Sequence, residues 1–249
     1  MRIPRGMQSG ARVSSIIVGT MLMLLAPGCG GDDVAGPGGE TQPTLLFEDT
    51  FDGPTVSGAW MQSIFDCFAD IDGAVGNPAP SLDLRIDPAA TASGSGVMTT
   101  FQPFNSADGL TFTMLLFVDN PGRSGLNIDG ASVTLIDQGR QNAARGGVGF
   151  HRNGLGGVTV SYAIYPGGPS SQISENIALP AGFSEFEFII APDGSTRWMR
   201  DGIQKLATTP GVQMMTADIQ IQLRVNGVGA SVDSDQTAAH FDNVTVTRP

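Results

Sequence analysis

The chain predicts an all-β protein folded as a two-sheet sandwich or a barrel. Two observations predict it. Long stretches alternate apolar and polar residues with a period of two, and turn dipeptides separate them at short intervals. No amphipathic helix pattern competes, and no repeat of roughly 20–50 residues points to a propeller or solenoid.

The first element is a leader. Arg2, Arg5 and Arg12 make a basic start, residues 13–25 an apolar run, and Ala26-Pro27-Gly28-Cys29 a small-residue close. That layout is a secretory signal, too short for a mature membrane span. A cysteine at that place resembles the lipobox of bacterial lipoproteins, with Ala26 standing where the motif usually has Leu. The resemblance implies that residues 1–28 are removed and that Cys29 is lipidated. The protein would then be anchored in the cell envelope, and Gly30 after the cysteine resembles export to the outer rather than the inner membrane. An ordinary cleaved signal with an incidental cysteine is the alternative. Residues 29–43 carry no large apolar side chain that could offset ordering entropy, so they are expected to form a flexible tether.

Residues 44–249 form the expected sandwich domain. Ile219, Ile221, Leu223 and Val225 alternate with Gln220, Gln222, Arg224 and Asn226, giving one buried and one wet face. Val158, Val160, Tyr162 and Ile164 repeat the pattern, as do Phe186, Phe188 and Ile190. Residues 110–118 alternate and then become continuously apolar, as a central strand would. Asn153-Gly154, Asp193-Gly194 and Asp201-Gly202 favour tight hairpins because both positions take positive φ cheaply, and Pro166-Gly167-Gly168-Pro169 marks another reversal. About twelve strands are expected.

Three segments carry a family resemblance. Residues 45–60 (LLFEDTFDGPTVSGAW), 186–204 (FEFIIAPDGSTRWMRDGIQ) and 240–247 (HFDNVTVT) resemble the first strand, the central hairpins and the last strand of the concanavalin A-like lectin/glucanase superfamily, especially its laminin-G-like bacterial members. The resemblance implies a jelly roll of two antiparallel sheets with adjacent first and last strands. It also implies that Trp60 and Trp198 belong to the core.

The whole chain has a net charge of −11, and residues 1–28 hold three of its 13 basic residues and none of its 24 acidic ones. The mature chain is therefore more acidic still, which disfavours nucleic acid as a partner. Of the two cysteines, Cys67 sits among Ile64, Phe65 and Phe68 and reads as a buried, unpaired thiol.

Glycoside hydrolysis needs two carboxylates across the scissile bond. Glu185 and Glu187 are spaced for one face, about 6.6 Å apart at Cα. Ile189 and Ile190 stand where the family's further acid would be, so the pair reads as the wet face of a strand. His151 and His240 have no His or Cys at metal-ligand spacing, and no G-x-S-x-G elbow is present. The Gly146-Gly147 and Gly154–Gly157 pieces lack the helix of a phosphate cradle and read as turns and narrow strand positions. No catalytic residue is assigned, and the chain is expected not to be an enzyme.

The resemblance also implies a calcium ion where the terminal strands meet, with Asp49, Asp52 and Asp242 as the candidate ligands if those strands pair, and turn-capping or strand-edge roles as the alternative for the same residues. Asp233 and Asp235 are weaker candidates, and residues 119–129 lack EF-hand spacing. For glycan contact the candidates are Tyr165, beside the PGGP turn, and Gln220 and Gln222 on a solvent face, with Asn226 beside them. The expected partners are the membrane, through the lipid, and polysaccharide or an envelope protein. A lectin-like or adhesive module is the first reading, a structural or protein-interaction envelope domain the second, and an unrecognised glycan hydrolase or lyase the third. Intact-mass analysis of membrane-extracted protein should show a lipid adduct that Cys29→Ala abolishes; a soluble mature form starting elsewhere would remove the lipoprotein reading.

Overall fold

The computed structural model describes residues 42–89, 94–120, 130–138, 143–152, 157–165, 171–208, 218–227 and 237–249. Its strands are β1 (Thr44–Asp49), β2 (Trp60–Phe65), β3 (Cys67–Asp72), β4 (Ser81–Ile86), β5 (Gly94–Thr100) and β6 (Phe104–Asn105). There follow β7 (Leu110–Asn120), β8 (Gly130–Asp137), β9 (Ala143–Arg152), β10 (Val158–Ile164) and β11 (Ser171–Ile177). The chain closes with β12 (Ser184–Ile190), β13 (Thr196–Arg200), β14 (Ile203–Ala207), β15 (Asp218–Gly227) and β16 (Ala238–Arg248).

Every pairing among them is antiparallel. The first sheet runs β14-β13-β12-β7-β16-β4-β3, with β1 also on β16; the second runs β11-β10-β9-β8-β15-β5-β2, with β6 also on β15. The terminal strands pair as expected, Asp49 opposite Val244. The described residues hold 16 strands, more than the dozen expected. β2 and β3 lie at the edges of the two sheets; β2 is exposed on both faces beyond Trp60 and carries no alternation to read, whereas β3 turns Cys67, Ala69 and Ile71 toward the core.

Alternation builds the core. In β15, Ile219, Ile221, Leu223 and Val225 are fully buried, and in β12 so are Phe186 and Phe188. The two inner faces interlock through aromatic rings. Phe150 of the second sheet meets Phe186 of the first edge-on, with centroids 5.5 Å apart. Trp198 packs on Phe188 at 4.7 Å, and its indole N–H crosses the sandwich to the carbonyl of Ala163 at 3.0 Å. Each such buried aromatic contributes on the order of 1.5–3 kcal/mol. Cys67 is buried and free, its thiol pushed up to about 11 by burial.

The opening and closing motifs have mechanical explanations. Asp49 accepts the Trp60 indole N–H at 2.8 Å and the Ser57 hydroxyl at 2.7 Å, while Phe51 stacks on the same indole. Near the other terminus, Asp242 accepts the backbone N–H of Asn77 at 2.8 Å, and Asn243 donates to the Asn77 carbonyl at 3.2 Å. The pair pins the loop between β3 and β4 to the last strand.

The two Asp-Gly steps expected as hairpins differ. Asp201 (φ 50°) and Gly202 (φ 72°) both take positive φ and join β13 to β14 as a two-residue turn. At Asp193-Gly194 only Gly194 does, at φ 80°, within a loop closed by Ala191 and Ser195. That connection is not the tight hairpin expected. The Asn153-Gly154 and PGGP turns lie outside the described residues. Replacing Gly202 by Val forces a β-branched residue to a left-handed position, which should cost about 1 kcal/mol or more. A lowered urea midpoint at unchanged slope is the expected outcome; an unchanged midpoint would mean the turn is not held in this form.

Candidate functional site

A groove of about 610 Å³ lies over the outer face of the second sheet, spanning β15, β8, β9, β10 and β11. Its size suits a small ligand or a few sugar units. Ladder registry explains its floor. One row across the sheet runs Arg224, Ser132, Gly149, Ser161, Ser174; the next runs Gln222, Thr134, Gly147, Ala163, Gln172. The positions on β9 are glycines and their neighbours are short, so the middle of the face is thin. Longer side chains rise at its margins: Tyr165 and Gln172 on one side, Arg224 and Asn226 on the other.

Most of the margin groups are hydroxyls and amides with free capacity. The Gln172 amide donates to the Tyr165 hydroxyl at 3.3 Å, leaving that hydroxyl's proton free to donate. Ser161 and Ser174 share one hydrogen bond of 2.8 Å. Asn226 accepts from Ser95 through its side-chain oxygen at 2.8 Å. The backbone N–H of Tyr165 donates to the carbonyl of Arg145, whose guanidinium is buried in an ion pair with Asp137. Among the described lining residues there is no Asp or Glu, and Arg224 and His151 are the ionisable side chains directed by register to the outer face.

The sequence-predicted residues are distributed as follows. Tyr165 lines the groove. Gln222 extends the second floor row beyond the lining, its amide donating to Thr99 at 3.1 Å. Gln220 departs from the expected solvent face and is buried. β5 ends opposite it and β6 begins beyond, so the ladder is interrupted; its amide fills that break, donating to the carbonyls of Thr100 at 2.8 Å and Phe101 at 3.3 Å. Trp60, Trp198 and Tyr162 are core residues.

The calcium expectation finds no fitting donor set. Asp49 is committed to Phe51, Ser57 and Trp60, and Asp52 accepts from Thr50. Asp242 accepts two backbone N–H groups; burial and the neighbouring Asp52 charge push its carboxyl up, and those hydrogen bonds pull it down, with a net rise. No group of three or more His, Cys, Asp or Glu side chains among the described residues is placed to hold a metal ion. Cys29, Asp233 and Asp235 lie outside the described residues.

Glu185 and Glu187 sit on β12, on the outer face of the first sheet, and so on the opposite side of the sandwich from the groove. His240 shares that face. Its Nδ1 lies 3.3 Å from the Ser81 hydroxyl, and burial holds its imidazole below the usual value against the charges of Asp72 and Asp119. Ser81 has no exposed surface and the nearby Asp83 is paired with Arg85, so the cluster presents no nucleophile.

No family model and no curated relative matches the chain. Solved structures do. The carbohydrate recognition domain of Emp47p superposes with TM-score 0.57 at 12% identity, covering 82% of this chain and 97% of that one. The Bacillus licheniformis β-glucanase gives 0.55 at 15% identity, with 83% and 99% covered. The GlcNAcα1-4Gal-releasing endo-β-galactosidase from Clostridium perfringens gives 0.60 at 14%, covering 88% of this chain and 66% of its own. The fold is the concanavalin A-like jelly roll.

In this jelly roll the β11 wall of the groove is held from behind. Glu175 of β11 accepts from the Tyr162 hydroxyl (2.9 Å), Arg200 (2.9 Å) and Lys205 (3.0 Å), tying the second sheet's edge to β13 and β14 of the first. Burial pushes the Glu175 carboxyl up, but the bonds from Lys205 and Tyr162 and the two cationic charges outweigh it and hold it below 4.5. A lowered folded value contributes stability above the unfolded value that is lost as pH falls through the folded one. Glu175→Gln should therefore lower the urea midpoint at neutral pH, with the gap to wild type closing as pH drops below about 4.5. A gap independent of pH would show that the carboxylate's charge is not what holds the wall.

Proposed function

We propose that this is a non-catalytic glycan-binding protein of the bacterial cell envelope, anchored through a lipid on Cys29, whose ligand docks in the groove over the second sheet. The observation that carries the reading is the groove's chemistry. A thin floor of glycine, alanine and serine is rimmed by hydroxyl and amide side chains and by one tyrosine ring, the arrangement that accepts a pyranose edge by hydrogen bonds and its face by stacking. The described lining supplies no carboxylate, whereas hydrolysis needs two within about 5–9.5 Å. The likeness to a carbohydrate recognition domain supports the same reading, and the likeness to two glycanases supports the frame without the chemistry.

A second reading, an envelope domain that binds protein, is favoured by one feature. Met61, Ile64 and Phe65 of β2, with Phe68 of β3, are exposed apolar side chains, and β2 is an edge strand among the described residues.

A glycan array and reducing-end assays on the purified full chain test the proposal. Gly149 makes a clean probe, because a Cβ there meets nothing closer than Ser132 at 3.8 Å, so Gly149→Leu fills the groove without a backbone clash. Wild type should bind a glycan, Gly149→Leu should lose it by tenfold or more (about 1.4 kcal/mol), and β-glucans, galactans and alginates should stay uncut. Binding to no glycan, or binding unaffected by Gly149→Leu, would overturn the groove reading; released reducing ends would overturn the non-catalytic one.

A further inference from the structure

The groove's electrostatics are opposite to those of the chain. Acidic residues outnumber basic ones 24 to 13 overall, yet none of the 24 is among the described groove-lining residues. Arg224 is. Its ladder neighbours are Val97 and Ser132, and its neighbours two positions along β15 are Gln222 and Asn226, so among the described residues no carboxylate flanks it on the outer face. Its Nε is buried without a hydrogen-bond partner. Arg85 is paired with Asp70 and Asp83, Arg145 with Asp137 and Arg200 with Glu175; Arg248 also has an unpartnered Nε, but it does not line the groove.

A half-buried guanidinium with no counter-charge is a costly arrangement unless something else supplies the anion. A planar fork of donors matches a carboxylate or a sulfate, which it holds bidentately. Around it, Ser132 and Asn226 add neutral hydrogen-bonding groups for the sugar hydroxyls beside such an anion. On the reading that the groove binds a glycan, we infer that its ligand is an acidic saccharide, a uronate or a sulfate ester, whose anion is received by Arg224.

Matched pairs of polymers test this with the full chain: polygalacturonate against its methyl ester, and dextran sulfate against dextran. Wild type should bind the acidic member of one pair at least about tenfold more tightly, and the pair that shows it identifies carboxylate or sulfate as the anion. Arg224→Gln should erase that preference, Arg224→Lys should restore part of it, and the groove-filled Gly149→Leu should lose it with the binding itself. Thermal denaturation checks that each variant is folded, and the comparison within wild type does not depend on them. Equal affinity for acidic and neutral members, or no binding to any of the four polymers while a neutral glycan binds, would overturn the acidic ligand and leave the glycan reading standing. An acidic preference that survives Arg224→Gln in a folded protein would overturn the role of Arg224. Failure of every polymer and of every glycan on an array would overturn both.

Discussion

At Gly146 an added Cβ would stand 2.6 Å from the ring of Phe188, reaching across the sandwich from the other sheet. That contact sets how closely the two sheets approach. Phe188 in turn packs on Trp198, whose indole N–H holds the Ala163 carbonyl of β10. β9 therefore has to be thin on its inner face for the aromatic layer to close. It is also thin on its outer face, at Gly147 and Gly149, and there the thinness is the groove. A Cβ at Gly147 would already press the Val133 carbonyl at 3.2 Å, while Gly149 has room. One strand thus serves packing through one glycine and the site through two others.

The groove's walls depend on how the sheet edge is fastened. β11 is an edge strand, and its exposed face carries little apolar material to hold it down. The fastening is polar. Glu175 collects three donors, two of them cations from β13 and β14, and the Tyr162 hydroxyl among them sits on a ring that is otherwise core. Exposed ion pairs contribute little, but a carboxylate shared by two cations and a phenol at the mouth of the core is a network with restricted geometry. At the groove's margin, Gln172 belongs to β11 and Tyr165 directly follows β10, the two strands it joins to the first sheet.

The framework was legible because burial on one face leaves a period-two trace. β15, β10 and β12 show it, and their inner residues are those the alternation named. The edge strand β2, exposed on both faces beyond Trp60, leaves no such trace. Gln220 was misjudged for a different reason. Alternation places it outward, but the break between β5 and β6 makes carbonyls that need a donor, and such a break is a tertiary fact with no local signature. The groove itself was only half legible. Tyr165 could be singled out as an aromatic near a turn, whereas the floor consists of residues whose contribution is being small. Arg224 is a second written signal, the one charge beyond Asp218 in a strand otherwise made of amide and aliphatic side chains and a closing glycine.

The contrast between the chain's net charge of −11 and a groove whose described lining holds no acid raises the question of which field a charged ligand experiences. At physiological ionic strength charges on exposed surfaces are screened over about 8 Å, so most of the acidic groups act only on their own surroundings. Glu185 and Glu187 lie across the thickness of the sandwich from the groove, two sheets and an aromatic layer away. Sheet packing alone puts about 10 Å between them and the second sheet. Arg224 is different. It is half-buried in a concave surface, where low-dielectric walls exclude water and screening is weaker, so a bound anion interacts with it at short range and at nearly full strength. Global repulsion slows the approach of a polyanion, and the local cation governs how long it stays. On the proposed reading, an arginine set in a groove whose described lining holds no acid gives discrimination: a ligand that lacks a well-placed anion receives no compensation for desolvating the guanidinium, and one whose charges are displaced from the groove meets only the repulsive surface.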